Sequence, residues 1–98
     1  MLFLLYNYYG GTMIDNYMLY KNLPSIDLHG NDRYSASILV KEFINDNYKL
    51  GNKLILIIHG KGLYILKNTV HEILKKDKKV KEYKVDMFNP GTTIVELK

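Results

Sequence analysis

The sequence predicts an α/β fold in which helices pack against one mixed four-stranded sheet. Three observations carry this prediction. Short apolar stretches near residues 24–28 and 53–58 each end in His-Gly and lead into segments with helical spacing. The order of elements along the chain is strand, helix, strand, helix, strand, strand. Ninety-eight residues, 47% of them hydrophobic, are enough for one modest core and too few for two.

Pro24-Ser25-Ile26-Asp27-Leu28 reads as a short strand that stops at His29-Gly30. Asp32 is placed to cap the next helix, because a short acceptor side chain satisfies the free amides of a first turn. Ala36, Leu39, Val40, Phe43 and Ile44 then recur at helical spacing, which predicts an amphipathic helix over about 33–48. Gly51-Asn52 turns the chain. Lys53 to Ile58 is a near-continuous apolar run and reads as a buried strand.

A second helix is predicted over about 62–77. Leu66, Val70, Ile73 and Leu74 share one face, and Lys67, His71 and Lys75 lie nearer the other, which makes His71 a solvated surface residue. Val80 to Met87 alternates as a half-exposed strand does. Phe88-Asn89-Pro90-Gly91 is a turn, and Thr92 to Leu97 a last strand. The two strand–helix–strand steps imply parallel pairing with right-handed crossovers, and the last two strands are expected to be antiparallel neighbours.

Residues 24–98 therefore form one domain. Residues 1–23 are Tyr- and Met-rich without clear periodicity and read as an N-terminal arm or tail, with Met13 and Met18 as alternative starts. The opening Met1 to Tyr6 is apolar but too short to span a bilayer, and it lacks the basic flank of a signal peptide. A soluble, cytoplasmic protein without a membrane partner is the expectation. The chain has no cysteine, which excludes a disulfide scaffold and cysteine zinc sites. Charge is uneven: residues 1–48 carry three basic against five acidic side chains, and residues 49–98 eleven lysines against five acids. A basic half favours polyanionic partners, although a lysine-rich solvated surface explains it equally well.

The chemistry concentrates at the two His-Gly junctions. His59-Gly60-Lys61-Gly62 lies between a strand and a helix start, where backbone amides and the helix dipole favour an anion. Lys61 adds a full charge, and His59 a group that moves protons near neutral pH. If the first two strands are parallel, His29 and His59 share the carboxyl edge, where open α/β sheets bind ligands. Asp27, two residues before His29, is placed to orient it. A single His-Gly is usually a turn; its repetition at two equivalent places favours a site. Convergence of Asp27, His29 and His59 on a metal has no supporting ligand spacing. The third glycine of a dinucleotide fingerprint is replaced by Ile65, and there is no Walker A sequence and no serine nucleophile elbow.

These motifs resemble the Smr (small MutS-related) domain over about residues 24–98. The carrying segments are Ile26-Asp27-Leu28-His29-Gly30, His59-Gly60-Lys61-Gly62, Leu66-Lys67 where the family has a Leu-Arg pair, and Thr93-Ile94-Val95-Glu96-Leu97. Tyr64 stands where the family often has a small residue. The resemblance implies a two-layer sandwich like the C-terminal domain of bacterial translation initiation factor three. It also implies binding of RNA or DNA, endonuclease activity in many members, and in some members messenger RNA on ribosomes as substrate. Asp27, His29 and His59 are the expected catalytic residues, and Gly60, Lys61, Gly62 and Lys67 the expected nucleic-acid contacts. No cofactor is required for RNA cleavage; DNA nicking is compatible with a divalent metal. A non-catalytic module for RNA, ribosomes or branched DNA is the alternative.

Overall fold

The computed structural model describes residues 22–62 and 64–98. The expected N-terminal arm therefore lies, apart from residues 22–23, outside the described residues. Six elements follow in order: β1 (Ser25–Asp27), α1 (Arg33–Leu50), β2 (Leu54–Ile58), α2 (Ile65–Lys76), β3 (Val80–Val85) and β4 (Thr92–Leu97). The strands form one mixed sheet in the order β1-β2-β4-β3. β1 and β2 are parallel, and β4 runs antiparallel to both β2 and β3.

The last strand occupies the centre and β3 the edge. Composition explains the choice. All six residues of β4 are buried, whereas β3 exposes Lys81 and Glu82. Charged side chains suit an edge and discourage further pairing. The one acid in β4, Glu96, meets Lys81 of β3 at 3.4 Å. A register shift between Val80 and Glu82 breaks the alternation of β3 at its start.

Both helices lie on one face, giving two layers. Ile55, Ile57, Val95 and Leu97 from the sheet pack with Leu28, Ala36, Val40, Ile44, Val70 and Leu74. Each of these Val, Leu and Ile side chains contributes about 2 kcal/mol on burial. On the other face Leu54, Leu56 and Ile94 form a smaller buried group against which Leu23 packs. Among the described residues no helix is long and apolar enough to cross a membrane.

The helix ends are set by local chemistry. The Asp32 carboxylate accepts the Ser35 amide at 2.7 Å, and Gly51 closes α1 by donating to the Asn47 and Tyr48 carbonyls. α2 begins at Ile65, three residues later than the spacing predicts, and Tyr64 before it has φ 64° with no side-chain cap. The glycine segment is thus a turn ahead of the helix. The His59 and Gly60 amides both donate to the Gly91 carbonyl, at 2.8 and 2.9 Å, which ties that turn to the β3–β4 loop.

Candidate functional site

The parallel register sets Asp27 opposite Ile58, so His29 and His59 follow the ends of adjacent strands at the same edge. Side-chain alternation then separates them. Ile26 and Leu28 join the core beneath the helices, so Asp27 between them projects from the opposite side of the sheet. His59 continues the Ile55, Ile57 series toward the helix side. The carboxylate of Asp27 accepts the backbone amide of His29 at 2.9 Å. What it holds is the turn, not the imidazole as the sequence spacing suggests. His29 itself is exposed.

His59 is 5% exposed. Its Nδ1 lies 3.1 Å from the Gly60 carbonyl, and its Nε2 2.8 Å from the Thr93 hydroxyl. A carbonyl only accepts, so Nδ1 carries the hydrogen. Burial pushes the imidazole below its ordinary range; the Gly60 hydrogen bond opposes this, and the charge of Lys67 adds to it. The neutral ring then accepts the Thr93 O–H at Nε2. The same hydroxyl lies 2.8 Å from Nε2 of His71, which must donate to it. These tautomers are assigned from the bonding pattern.

His71 is therefore no surface residue. Its ring packs edge-on against Tyr83 at 5.1 Å and against His59 at 6.0 Å. Burial first, then His59 and Lys67, depress its basicity. Helical spacing misses it because it sits on the border of the apolar stripe, beside Val70. The legible signal is Thr93: a hydroxyl that alternates with Val95 and Leu97 on the core side of β4 needs a buried partner.

The glycine turn divides by role. Gly60, with φ 87°, has its amide occupied by Gly91, so it is not available to a ligand. The Lys61 and Gly62 amides have no partner among the described residues. Gly91 approaches so closely that a Cβ there would lie 3.1 Å from the Gly60 carbonyl carbon. Next to the turn opens a cleft of ≈ 410 Å³. His59, Gly62, Tyr64 and Lys67 line one side and Asn31 and Arg33 the other, so the starts of both helices border it. Asp32 also faces it, but its carboxylate is engaged by Ser35. Asp27, His29 and Lys61 are not among the lining residues. Lys67 Nζ sits 5.4 Å from the centroid of the Tyr64 ring.

A larger groove of ≈ 920 Å³ runs between α1 and α2, with Arg33, Lys41 and Lys76 facing Glu42, Glu72 and Asp77. Its mixed charge sets it apart from the cleft, with which it shares Arg33. Among the described residues no three His, Cys, Asp or Glu side chains converge as metal ligands.

The Smr domain model matches residues 26–98. The chain belongs to the Smr domain family. Endonuclease MutS2 of Clostridium kluyveri is 39% identical over 77 residues, which is 76% of this chain and 10% of that protein. Endonuclease MutS2 of Clostridium acetobutylicum is 38% identical over 77 residues, with the same coverage. The chain thus spans about a tenth of the length of these relatives. Among solved structures, the Smr domain of Thermus thermophilus MutS2 superposes with a TM-score of 0.75 at 26% identity, covering 78% of this chain and 99% of that one. YdaL, a stand-alone small MutS-related protein from Escherichia coli, gives 0.73 at 25% identity, covering 76% and 63%. The two-layer architecture with one mixed sheet is that of the Smr domain.

Proposed function

We propose that this Smr domain binds nucleic acid at the cleft beside the glycine turn and acts as an endonuclease at the same sheet edge, where His29 lies outside the cleft, with RNA as its substrate. The observation that carries the binding reading is the composition of the cleft. Arg33, Lys67 and the uncapped first turn of α2 face it, and its one carboxylate is already bonded to Ser35. Lys61 and Gly62 add, at its rim, charge and amides that have no partner among the described residues. A phosphodiester matches this set. The MutS2 relatives that align over the same segment are named endonucleases. Ribosome-associated RNA is one substrate of this class.

Cleavage of RNA requires a base for the 2′-hydroxyl. That oxygen then attacks the adjacent phosphorus and expels the 5′-oxygen, which takes a proton from water. His29 is the imidazole at this edge with open access, and Asp27 fixes the turn that carries it. Lys67 and Lys61 offset charge on the phosphate. Both ring nitrogens of His59 are engaged internally, so it positions the glycine turn from beneath. That same engagement favours a second reading, a module that binds without cutting.

The test pairs affinity with cleavage on one end-labelled single-stranded RNA and on supercoiled plasmid, with and without chelator. Binding should weaken in Lys61→Ala and Lys67→Ala, each lowering the log–log salt slope by about one unit. Cutting of RNA in chelator supports the imidazole route. Binding without cutting of either substrate, with or without divalent metal, establishes the second reading. Absence of binding to both overturns the assignment.

A further inference from the structure

Tyr64 is 64% exposed and sits directly at the cleft. It adopts a left-handed backbone conformation, which is strained for a bulky side chain and not for glycine. It buries little in return, so stability does not account for an aromatic ring at this position. Ile65 beside it is also exposed. The Lys67 ammonium lies 5.4 Å from the ring centroid, which places a cation and an aromatic face together.

A second exposed aromatic belongs to the β3–β4 loop, which Gly91 joins to the turn. Phe88 is 74% exposed and Met87 81%. The loop is held firmly although its tip is apolar. The buried Asp86 carboxylate accepts the Phe88 amide at 2.9 Å, Asn89 Oδ1 accepts the Gly91 amide at 3.1 Å, and the Gly91 carbonyl binds the His59 and Gly60 amides. Gly91 of this loop lies against Gly60 and Lys61, and Tyr64 follows the same turn in the chain, so the segments that carry the two exposed rings meet at the turn. Exposed rings on the segments that meet at a basic, amide-presenting turn match what an unpaired nucleotide strand needs: charge for the backbone and flat faces for its bases. In a duplex the base faces are already stacked and out of reach.

We propose that Tyr64 and Phe88, on the two segments that meet at the Gly60-Lys61-Gly62 turn, form a stacking surface for unpaired nucleobases, so that this domain selects single-stranded over duplex nucleic acid. This rests on the nucleic-acid reading above. Lys61 and Lys67 hold the phosphates, and the two rings supply a contribution that depends on the presence of bases and not on their identity.

The experiment measures anisotropy of three fluorescein-labelled probes of equal length: oligo-uridine RNA, the same backbone with abasic sites, and a duplex RNA. Wild type should bind oligo-uridine more tightly than either other probe. Tyr64→Ala and Phe88→Ala should each weaken oligo-uridine binding about five- to a hundredfold, by the usual worth of one aromatic–base stack. Binding to the abasic and duplex probes should stay within about twofold, with the salt slope unchanged, as expected when no phosphate contact is removed. Tyr64→Phe should retain wild-type affinity, and matched thermal melting confirms the fold. Equal affinity of both alanine variants for oligo-uridine, or equal losses on the abasic probe, would overturn the stacking surface while leaving nucleic-acid binding in place. Absence of wild-type binding to all three probes overturns the binding reading, and the stacking surface with it.

Discussion

The imidazoles of His59 and His71 share one partner: the Thr93 hydroxyl lies 2.8 Å from Nε2 of each. A hydroxyl has a single hydrogen, so it donates to one ring and accepts from the other. The Gly60 carbonyl at His59 Nδ1 decides the order, running from His71 through Thr93 to His59. The chain links α2, β4 and the strand end that carries the glycine turn. Thr93→Val keeps the shape of this buried residue and removes both bonds. Two imidazole nitrogens then lose partners away from water, at a combined cost of about 2 kcal/mol. For a domain of this size that lowers Tm by about 10 °C, and Thr93→Ser should restore most of it. A melting curve for Thr93→Val within about two degrees of wild type would show that the network does not hold the fold.

The same pair makes stability depend on pH. Burial depresses the basicity of both histidines in the folded state, with Lys67 adding to it from α2, while Tyr83 contributes a neutral ring from β3. The unfolded chain therefore binds protons that the native state refuses. The resulting stability is complete above the ordinary imidazole pKa of 6.5 and is lost as pH falls through the depressed folded values. Asp32, held below its ordinary 3.8 by the Ser35 amide, loses its share only in a much more acidic range. Urea midpoints at pH 7.5, 6.0 and 5.0 should fall in that order. A flat profile across this window would mean that the two rings are charged in the native state.

Much of the architecture was legible because the motifs act locally. Asp32 caps where a short acceptor precedes an apolar period, and Gly51 ends the helix that follows. The parallel β1–β2 pair follows from the two His-Gly junctions. Pairing of β4 between β2 and β3 was less visible, since adjacency in sequence suggests only that β3 and β4 are neighbours. The burial of every β4 residue marks it as central. At the site, shared edge position was readable but shared face was not. One residue of offset puts Asp27 on the opposite side of the sheet from His59. The helix period assigns His71, at a border position, to solvent, and only the third dimension brings Thr93 to it.

Gly91 has no mark in the sequence beyond an Asn-Pro-Gly turn, yet it sets the shape of the glycine turn across from it. In Gly91→Ala the new methyl would meet the Gly60 carbonyl carbon at 3.1 Å and its Cα at 3.2 Å, neither of which can rotate away. The loop must move, and with it the carbonyl that two amides share. A cost of about 1–3 kcal/mol is expected from such overpacking. Nucleic-acid affinity should fall several-fold with it. Gly62→Ala is the control, because its Cβ would enter open space. It should melt as wild type. Equal melting of both variants would show that the Gly60–Gly91 contact is loose.

Under the proposed RNA cleavage, variants of His29 and Asp27 separate proton transfer from turn geometry. Asp27 accepts the His29 amide through one carboxylate oxygen, and the side-chain amide oxygen introduced by Asp27→Asn can accept the same bond. This variant should therefore keep both Tm and most of its cleavage of RNA. Asp27→Ala removes the acceptor and should lose about 1 kcal/mol, as other side-chain caps do, with cleavage reduced because the turn carrying His29 is released. His29→Ala leaves the turn intact, since the bond uses its backbone. It should bind RNA within about twofold of wild type and cut it at least about a hundredfold more slowly, the usual loss when a proton-transfer group is removed. The measurements are affinity, initial cleavage rate and melting on the same preparations. If His29→Ala cuts at the wild-type rate, the exposed imidazole takes no part. If Asp27→Asn alone abolishes cleavage at unchanged Tm, the carboxylate charge acts on the reaction directly and its role extends beyond the turn.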